Sequence, residues 1–192
     1  MPIKRNKAQT HQRIVEAAYR LFYRQGFARV GVDVIAARAS VTKRTLYSHF
    51  RSKDDLLSAV LVHYSELQLA RLQVIGDRMP QEHDAMLDSF FGQLAEWAGK
   101  PRWSGSGFTR LVVELADLPG HPARAIARRA KIATEDWLAQ CLKKARVSSP
   151  GERAREIMLL MEGAMALMLI HGDRAYADAA AAAAKRLINQ RR

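Results

Sequence analysis

The stretch VDVIAARASVTKRTLYSHF, residues 32–50, predicts two short helices joined by a tight turn. Thr42 is a favourable N-cap for the second helix, because its side-chain oxygen can accept a hydrogen bond from a free backbone N–H of the first turn. Leu46 and Phe50 are four residues apart, and at that spacing both side chains lie on the same, inner side of the helix. The outward side chains are mostly hydrogen-bond donors, which suits a surface rich in acceptors such as a DNA groove. This spacing is typical of a helix-turn-helix.

Positive charge is concentrated around this segment. The 192 residues carry 31 Lys and Arg against 19 Asp and Glu, a net charge of +12. Residues 1–53 hold 12 of the basic residues and only two acidic ones, Glu16 and Asp33, so the rest of the chain is close to neutral. A basic segment around a helix-turn-helix is the electrostatic footprint of a protein that binds duplex DNA. A solvated basic face or a lipid-binding patch is the alternative that charge alone leaves open.

Other compositional features narrow the class of protein. The single cysteine, Cys141, excludes an internal disulfide. The basic N-terminus has no apolar run behind it and does not resemble a signal peptide. The longest apolar stretch, residues 157–170, is too short to span a membrane and contains Glu162. We therefore expect a soluble, intracellular protein with no membrane partner.

A further helix precedes the helix-turn-helix. Residues 1–9 are short, basic and expected to be frayed, although they could lie along a phosphate backbone. Helical periodicity predicts a helix from about Thr10 that stops before Gly26. The three helices are expected to share one small core, which consists of Ile14, Leu21, Phe22, Phe27, Val34, Ile35, Leu46 and Phe50.

The segments RIVEAAYRLFYRQGF (residues 13–27) and VDVIAARASVTKRTLYSHFRSKDDLL (residues 32–57) resemble the N-terminal domain of the TetR family of bacterial transcription regulators. The resemblance covers about residues 10–60 and implies a cytoplasmic bacterial protein, nucleoid-associated when bound to double-stranded DNA. By resemblance, the side chains that contact phosphates and bases are Thr42, Lys43, Arg44, Thr45, Tyr47, His49 and Lys53.

Two positions depart from the family pattern. Gly31 stands before the second helix, where the family often has a Thr or Ser that caps the helix and contacts phosphate. Ser40 stands at the turn, where the family often has Gly. If Ser40 adopts a positive φ, the strain costs about 1 kcal/mol.

The pattern of the remaining chain indicates helices only, so we predict an all-α fold of about nine helices. Residues 1–53 form a three-helix DNA-binding domain, and residues 54–192 form a helical bundle for ligand binding and dimerisation. The predicted helices of the body span about residues 53–77, 81–98, 108–116, 121–146, 152–171 and 174–189.

The last two helices are expected to pair with a second copy of the chain. The apolar residues of the helix that ends at His171 predict that this helix is largely buried, and residues 179–184 supply a surface of alanines that allows close helix approach. The family resemblance implies a four-helix homodimer interface here. A twofold dimer would present two reading helices about 34 Å apart to a palindromic operator. The alternative is a monomer whose last helix covers its own core.

Aromatic and methionine side chains in the body predict a pocket for a small, largely apolar or aromatic effector, whose binding would weaken DNA binding by a repressor. The candidate pocket residues are Met86, Phe90, Trp97, Trp103, Phe108, Leu111, Trp137, Met161, Met165 and Met168, with Glu114 or His171 as polar anchors. Taken singly, each of these residues is also explained by core packing.

Neither a metal site nor a catalytic site is predicted, and no cofactor is expected. A soft-metal or haem site can be imagined from His171, Cys141 and nearby methionines, but the methionines have the spacing of a core stripe. Nothing fixes a nucleophile beside a base. Two other functions remain open: an enzyme or carrier that uses the helical cavity, and an architectural DNA-binding protein indifferent to sequence.

Overall fold

The computed structural model describes residues 2–189, with side chains from residue 6 onward, and within that range it contains nine helices and no strand. The all-α prediction, including an N-terminal helix-turn-helix and a helical body, is confirmed. The helices are α1 (Pro2–Gln25), α2 (Val32–Arg38), α3 (Lys43–His49), α4 (Lys53–Asp77), α5 (His83–Ala98), α6 (Gly107–Glu114), α7 (Pro122–Lys144), α8 (Pro150–His171) and α9 (Ala175–Asn189).

Helix α1 ends as predicted but begins earlier. Gly26 has φ 85°, and its N–H donates to the carbonyl of Phe22 at 2.9 Å, which closes the last turn. The predicted start near Thr10 is wrong, because α1 begins at Pro2. Proline is tolerated in the first turn, and the Lys, Arg, Ala and Gln residues that follow are good helix formers.

The three N-terminal helices share a small apolar core. Ile14, Ile35 and Leu46 are fully buried, and Phe22 and Phe50 are nearly so. Val34 is 51% exposed, so its predicted place in this core is wrong. The seven-residue helix α2 turns Ile35 and the adjacent alanine inward, which leaves Val34 on the opposite side.

The chain divides into two compact units. Unit 1 extends to Gln68 and also contains Gly107–Arg129, whereas unit 2 contains Leu69–Ser106 and the chain from Ala130 onward. Helix α6 therefore belongs to the same unit as the helix-turn-helix. The domain boundary predicted at residue 53 coincides with the first residue of α4 and falls inside unit 1.

Unit 2 is built around α5, α8 and α9. One stripe of α9 (Ala177, Ala180, Ala181 and Ala184) is buried where α9 packs on α5 and α8. The stripe of α8 that was predicted to be buried is buried at Ile157, Met161 and Met168, whereas Leu159 and Ile170 on another side of the helix are 72% and 71% exposed. Among the described helices, none has the length and apolar character needed to cross a membrane.

Candidate nucleic-acid interface

The N-terminus of α3 is capped by a side chain. Thr42 has an extended backbone, and its hydroxyl oxygen accepts a hydrogen bond from the N–H of Thr45 at 3.0 Å. The two threonine hydroxyl oxygens are 2.8 Å apart. The predicted cap is therefore present, and it fixes where α3 begins.

The two faces of α3 differ sharply. Leu46 is fully buried, whereas Lys43, Arg44 and Ser48 are exposed. Tyr47 is 45% exposed, which is a large exposed fraction for an aromatic side chain. Thr45 and His49 are half-buried at the edges of this face. The exposed face thus offers cationic, hydroxyl and aromatic groups to a partner.

The turn between α2 and α3 is tight. Ser40 has a positive φ of 54°, so the strain of about 1 kcal/mol applies at this departure from the family pattern. The N–H of Ser40 donates to the carbonyl of Ala37 at 3.1 Å, and that of Val41 donates to the carbonyl of Ala36 at 3.0 Å. Gly31 is the N-cap of α2 and makes no side-chain hydrogen bond there.

Lys43 pairs with Asp33 across the helix-turn-helix. The ammonium nitrogen is 3.1 Å from a carboxylate oxygen, and both side chains are more than half exposed. An exposed ion pair of this kind contributes at most about 1 kcal/mol to stability. The Lys43 ammonium can therefore exchange Asp33 for a DNA phosphate at little cost.

His49 lies beside a second imidazole. The ring centroid of His11 is 6.0 Å from that of His49 and 4.7 Å from that of Phe50. Burial lowers the pKa of His49, and the nearby His11 and Lys7 lower it further. His49 therefore favours its neutral form in the folded protein.

Lys53 is turned toward the end of α1. Its ammonium nitrogen is 4.2 Å from the centroid of the Phe27 ring and 3.5 Å from the carbonyl oxygen of Ala28. Burial lowers the pKa of Lys53, although Asp54 and Glu114 oppose the shift. Lys53 is one of the seven predicted DNA-contacting residues, but here its ammonium group contacts a backbone carbonyl of its own unit.

Two charged residues of α6 meet the same turn. The carboxylate of Glu114 accepts hydrogen bonds from the N–H groups of Phe27 and Ala28, at 2.8 and 3.1 Å. The guanidinium of Arg110 donates to the carbonyl of Tyr23 at 2.9 Å. Sequence reasoning did not single out Arg110, and it assigned Glu114 to an effector, because the partners of both residues are more than 80 positions away.

The predicted effector-pocket residues are divided between the two units. Phe108, Leu111 and Glu114 belong to unit 1, where Leu111 and Glu114 line a half-open cavity of about 50 Å³. Drug-sized ligands occupy pockets of roughly 300–1,000 Å³, so this cavity is too small for one. The other nine belong to unit 2, and they are Met86, Phe90, Trp97, Trp103, Trp137, Met161, Met165, Met168 and His171.

Most of those nine residues lie in or against the core of unit 2. The methionines and Phe90 are buried, and the three tryptophans pack against them half-buried. The rings of Trp97 and Trp103 meet edge to face at 5.7 Å. His171 is exposed and stacks on Tyr176, with ring centroids 5.3 Å apart, and its role as a polar anchor stays a prediction.

The chain also contains one group of metal-ligand types within the described residues, namely Glu82, His83 and Asp84. Glu82 is the N-cap of α5, and its two carboxylate oxygens accept hydrogen bonds from the N–H groups of Asp84 and Ala85. The group is largely exposed, and its geometry is that of a helix cap.

A capped helix with an exposed face of hydrogen-bond donors, joined by a tight turn to a second short helix, defines a helix-turn-helix DNA-binding protein. Comparison with known proteins specifies the family. Residues 14–60 match the sequence pattern of the family described as bacterial regulatory proteins, tetR family.

Longer similarities agree with this match. Over 168 aligned residues, which are 87% of each protein, the chain is 25% identical to the HTH-type transcriptional regulator YjdC of Escherichia coli. Over 70 aligned residues, which are 35% of this chain and 33% of that protein, it is 40% identical to the HTH-type transcriptional regulator TtgR of Pseudomonas putida. A crystal structure of a TetR-family transcriptional regulator from Streptomyces coelicolor superposes with a TM-score of 0.83 and 25% identity over 95% of this chain and 97% of that one. Residues 14–60 therefore carry the DNA-binding domain of the TetR family, and over most of its length the chain is similar to transcriptional regulators of that family.

Proposed function

We propose that the protein is a homodimeric repressor that binds a palindromic operator and leaves it when a small, largely apolar or aromatic effector binds. The observation that carries the proposal is the composition of α3, where Leu46 alone is fully buried and the exposed side chains are those of a groove-reading surface. The protein would act in the bacterial cytoplasm, bound to the nucleoid.

The proposed DNA contacts are the seven residues predicted from the family resemblance. Lys43 would contact phosphate, because it is a cationic group at the N-terminus of α3 that holds only an exposed partner. Arg44 and Tyr47 would reach base edges in the major groove, since they are exposed within the first turns of the reading helix. The remaining residues would lie at the edges of the groove and contact the DNA backbone; they are Thr42, Thr45, His49 and Lys53.

Dimerisation through the last two helices is supported by an apolar stripe on α8. Leu159, Gly163, Ala166 and Ile170 are all exposed, and their spacing of four, three and four residues places them on one side of the helix. A stripe with two small residues between two large ones allows another helix to approach closely. The second copy of the chain is the occupant that also gives twofold symmetry to the DNA-binding surface.

The DNA-binding part of the proposal is tested with the intergenic DNA upstream of the protein's own gene. Binding is measured against a scrambled duplex of equal length over a range of salt concentrations. We expect tighter binding to the upstream duplex and a protected palindrome with half-sites one helical turn apart or a multiple of it. Equal affinity for both duplexes would contradict a sequence-specific repressor and favour an architectural DNA-binding protein.

The effector part rests on the aromatic and methionine residues of unit 2. Within the described part of the chain, the indole nitrogen of Trp103 is buried and has no hydrogen-bond partner. A buried unpaired donor costs about 1–3 kcal/mol. An aromatic effector that carries an acceptor oxygen would satisfy this N–H while its ring packs against the surrounding side chains.

The effector proposal is tested by screening small aromatic ketones, quinones and phenols for release of the upstream duplex. Trp103→Phe keeps most of the ring area and removes the donor. We expect this variant to bind DNA normally and to need about fivefold more of an active compound for release, because a neutral hydrogen bond contributes about 1 kcal/mol. A turnover assay on the same compounds would expose an enzyme or carrier instead.

A further inference from the structure

The turn that follows α1 is held by groups from outside the N-terminal three helices. After Gly26, the N–H groups of Phe27 and Ala28 donate to a side chain and not to a carbonyl of α1. Both donate to one carboxylate oxygen of Glu114, at 2.8 and 3.1 Å. A charged acceptor that binds two adjacent N–H groups fixes the orientation of both peptide planes.

Arg110 holds the end of α1 itself. Its guanidinium donates to the carbonyl of Tyr23, which lies in the last turn of α1. A cation at a helix C-terminus compensates the partial negative charge of the free carbonyls. Arg110 and Glu114 are four residues apart, so both project from one side of α6 and reach successive parts of the same chain segment.

The opposite side of this turn is held by the first residue of α4. The Lys53 ammonium lies over the Phe27 ring and 3.5 Å from the carbonyl oxygen of Ala28. A Cβ on Gly26 would lie 2.8 Å from a Glu114 carboxylate oxygen, so the glycine leaves room for this carboxylate beside the turn. Val30 is buried only two residues beyond Ala28, and Gly31 then caps α2. A shift of this turn would therefore move the start of α2, and with it the helix-turn-helix.

We propose that Arg110 and Glu114 are positioning residues for DNA recognition, which act through the 26–28 turn on the placement of α2 and α3. This inference rests on the proposed function. Helices α2 and α3 are seven residues each, and their place relative to α1 is set by a few core contacts and by this turn. Reading bases requires side chains held to about 0.5 Å, and such precision comes from supporting hydrogen bonds behind the contacting residues.

The test compares Glu114→Ala and Glu114→Gln with Glu66→Gln, which removes the same charge from an exposed position on α4 in the same unit. The probes are the upstream intergenic duplex and a scrambled duplex. We expect Glu114→Ala to lose about tenfold in affinity for the upstream duplex, as for one mismatched base pair. Affinity for the scrambled duplex and the salt slope should hold, since the phosphate-contacting cations are intact. The Glu66 variant should match wild type on both duplexes.

A second measurement separates positioning from a general loss of stability. Amide hydrogen exchange at Phe27 and Ala28 should accelerate in the Glu114 variants at temperatures where the protein is fully folded. Arg110→Lys should retain more upstream affinity than Arg110→Ala, because it keeps a cationic donor. Faster exchange with unchanged preference for the upstream duplex would overturn the inference. The inference would also be overturned if the variants lost affinity equally for both duplexes, in proportion to the fraction of protein that is unfolded. If wild type itself shows no preference, the proposed function fails, and this inference fails with it.

Discussion

The exposed face of α3 contains two kinds of side chain, which we expect to contribute differently to DNA binding. Lys43 carries a flexible point charge and pairs with Asp33, an exposed partner. Arg44 has a planar fork suited to bidentate contacts with a base, and Tyr47 has an aromatic ring with a hydroxyl at its tip. Affinity and sequence preference should therefore be separable on this helix by single substitutions.

Replacing Lys43 by Ala should weaken binding to the upstream and scrambled duplexes alike and reduce the salt slope by about one unit, because one phosphate contact is lost. Arg44→Ala should instead narrow the difference between the two duplexes by about 1–3 kcal/mol, the usual contribution of a bidentate base contact. Salt-titrated fluorescence anisotropy measures both quantities. The reverse pattern would exchange the proposed roles of the two residues.

His49 gives the stability of the protein a pH dependence of known sign. The folded state holds the pKa of His49 below its ordinary value of 6.5 through burial and the nearby His11 and Lys7. The unfolded chain therefore binds the proton more readily, and this contribution to stability is complete above the unfolded pKa and is lost as the pH falls through the window below it. The measurement is urea unfolding at about pH 7.5 and about pH 5.5. Between these two pH values the free energy of unfolding should fall less in His49→Gln than in wild type. His171→Gln, at an exposed position, is the control.

At the scale of the element, the α2–α3 turn combines one stabilising and one straining residue. Thr42→Ala removes the cap that accepts from Thr45 and should destabilise the protein by about 1 kcal/mol. Ser40→Gly should stabilise it by up to about 1 kcal/mol, because φ is 54° at this residue and glycine adopts that conformation without steric cost. Thermal unfolding of the two variants tests both signs. A destabilised Ser40→Gly would show that the serine side chain contributes more than the strain removes.

Features of the elements that depend on local chemistry could be predicted from the sequence. The cap at Thr42 and the stop at Gly26 each follow from neighbouring residues, and apart from the start of α1 the predicted helix ends fall within two residues of those observed. The exposure of Val34 could not be predicted with the same success, since a seven-residue helix contains too few positions for its periodicity to select one face.

Features of the site that depend on partners far away in the sequence could not be predicted from it. Glu114 has an ordinary place in an amphipathic helix, and nothing near it indicates that its carboxylate binds the backbone after α1. The same applies to Lys53, which the family resemblance assigns to DNA and which lies over the Phe27 ring. The seven proposed DNA contacts and the effector residues of unit 2 stay predictions at this level.

For the whole molecule, the exposed stripe on α8 leads to a prediction about assembly. Leu159→Glu places a carboxylate in the proposed interface, where burying an unpaired charge is strongly unfavourable. We expect the variant to sediment as a monomer at micromolar concentration and to lose most of its affinity for the upstream duplex, since two half-sites are no longer engaged together. Ile132→Glu, at a position of α7 that is 46% exposed, is the matched control. An unchanged dimer would place the interface elsewhere.

The membership of α6 in unit 1 bears on how such regulators can be recombined. A hybrid made by joining residues 1–53, or even 1–68, to a foreign sensor would keep every base-reading side chain and discard the helix that holds the turn after α1. Its graft site would also uncover apolar side chains of α4 such as Leu57 and Val60. A transferable reading module from this protein therefore has to be assembled from two separate pieces of the gene, with Gly107–Arg129 supplied alongside the N-terminal segment.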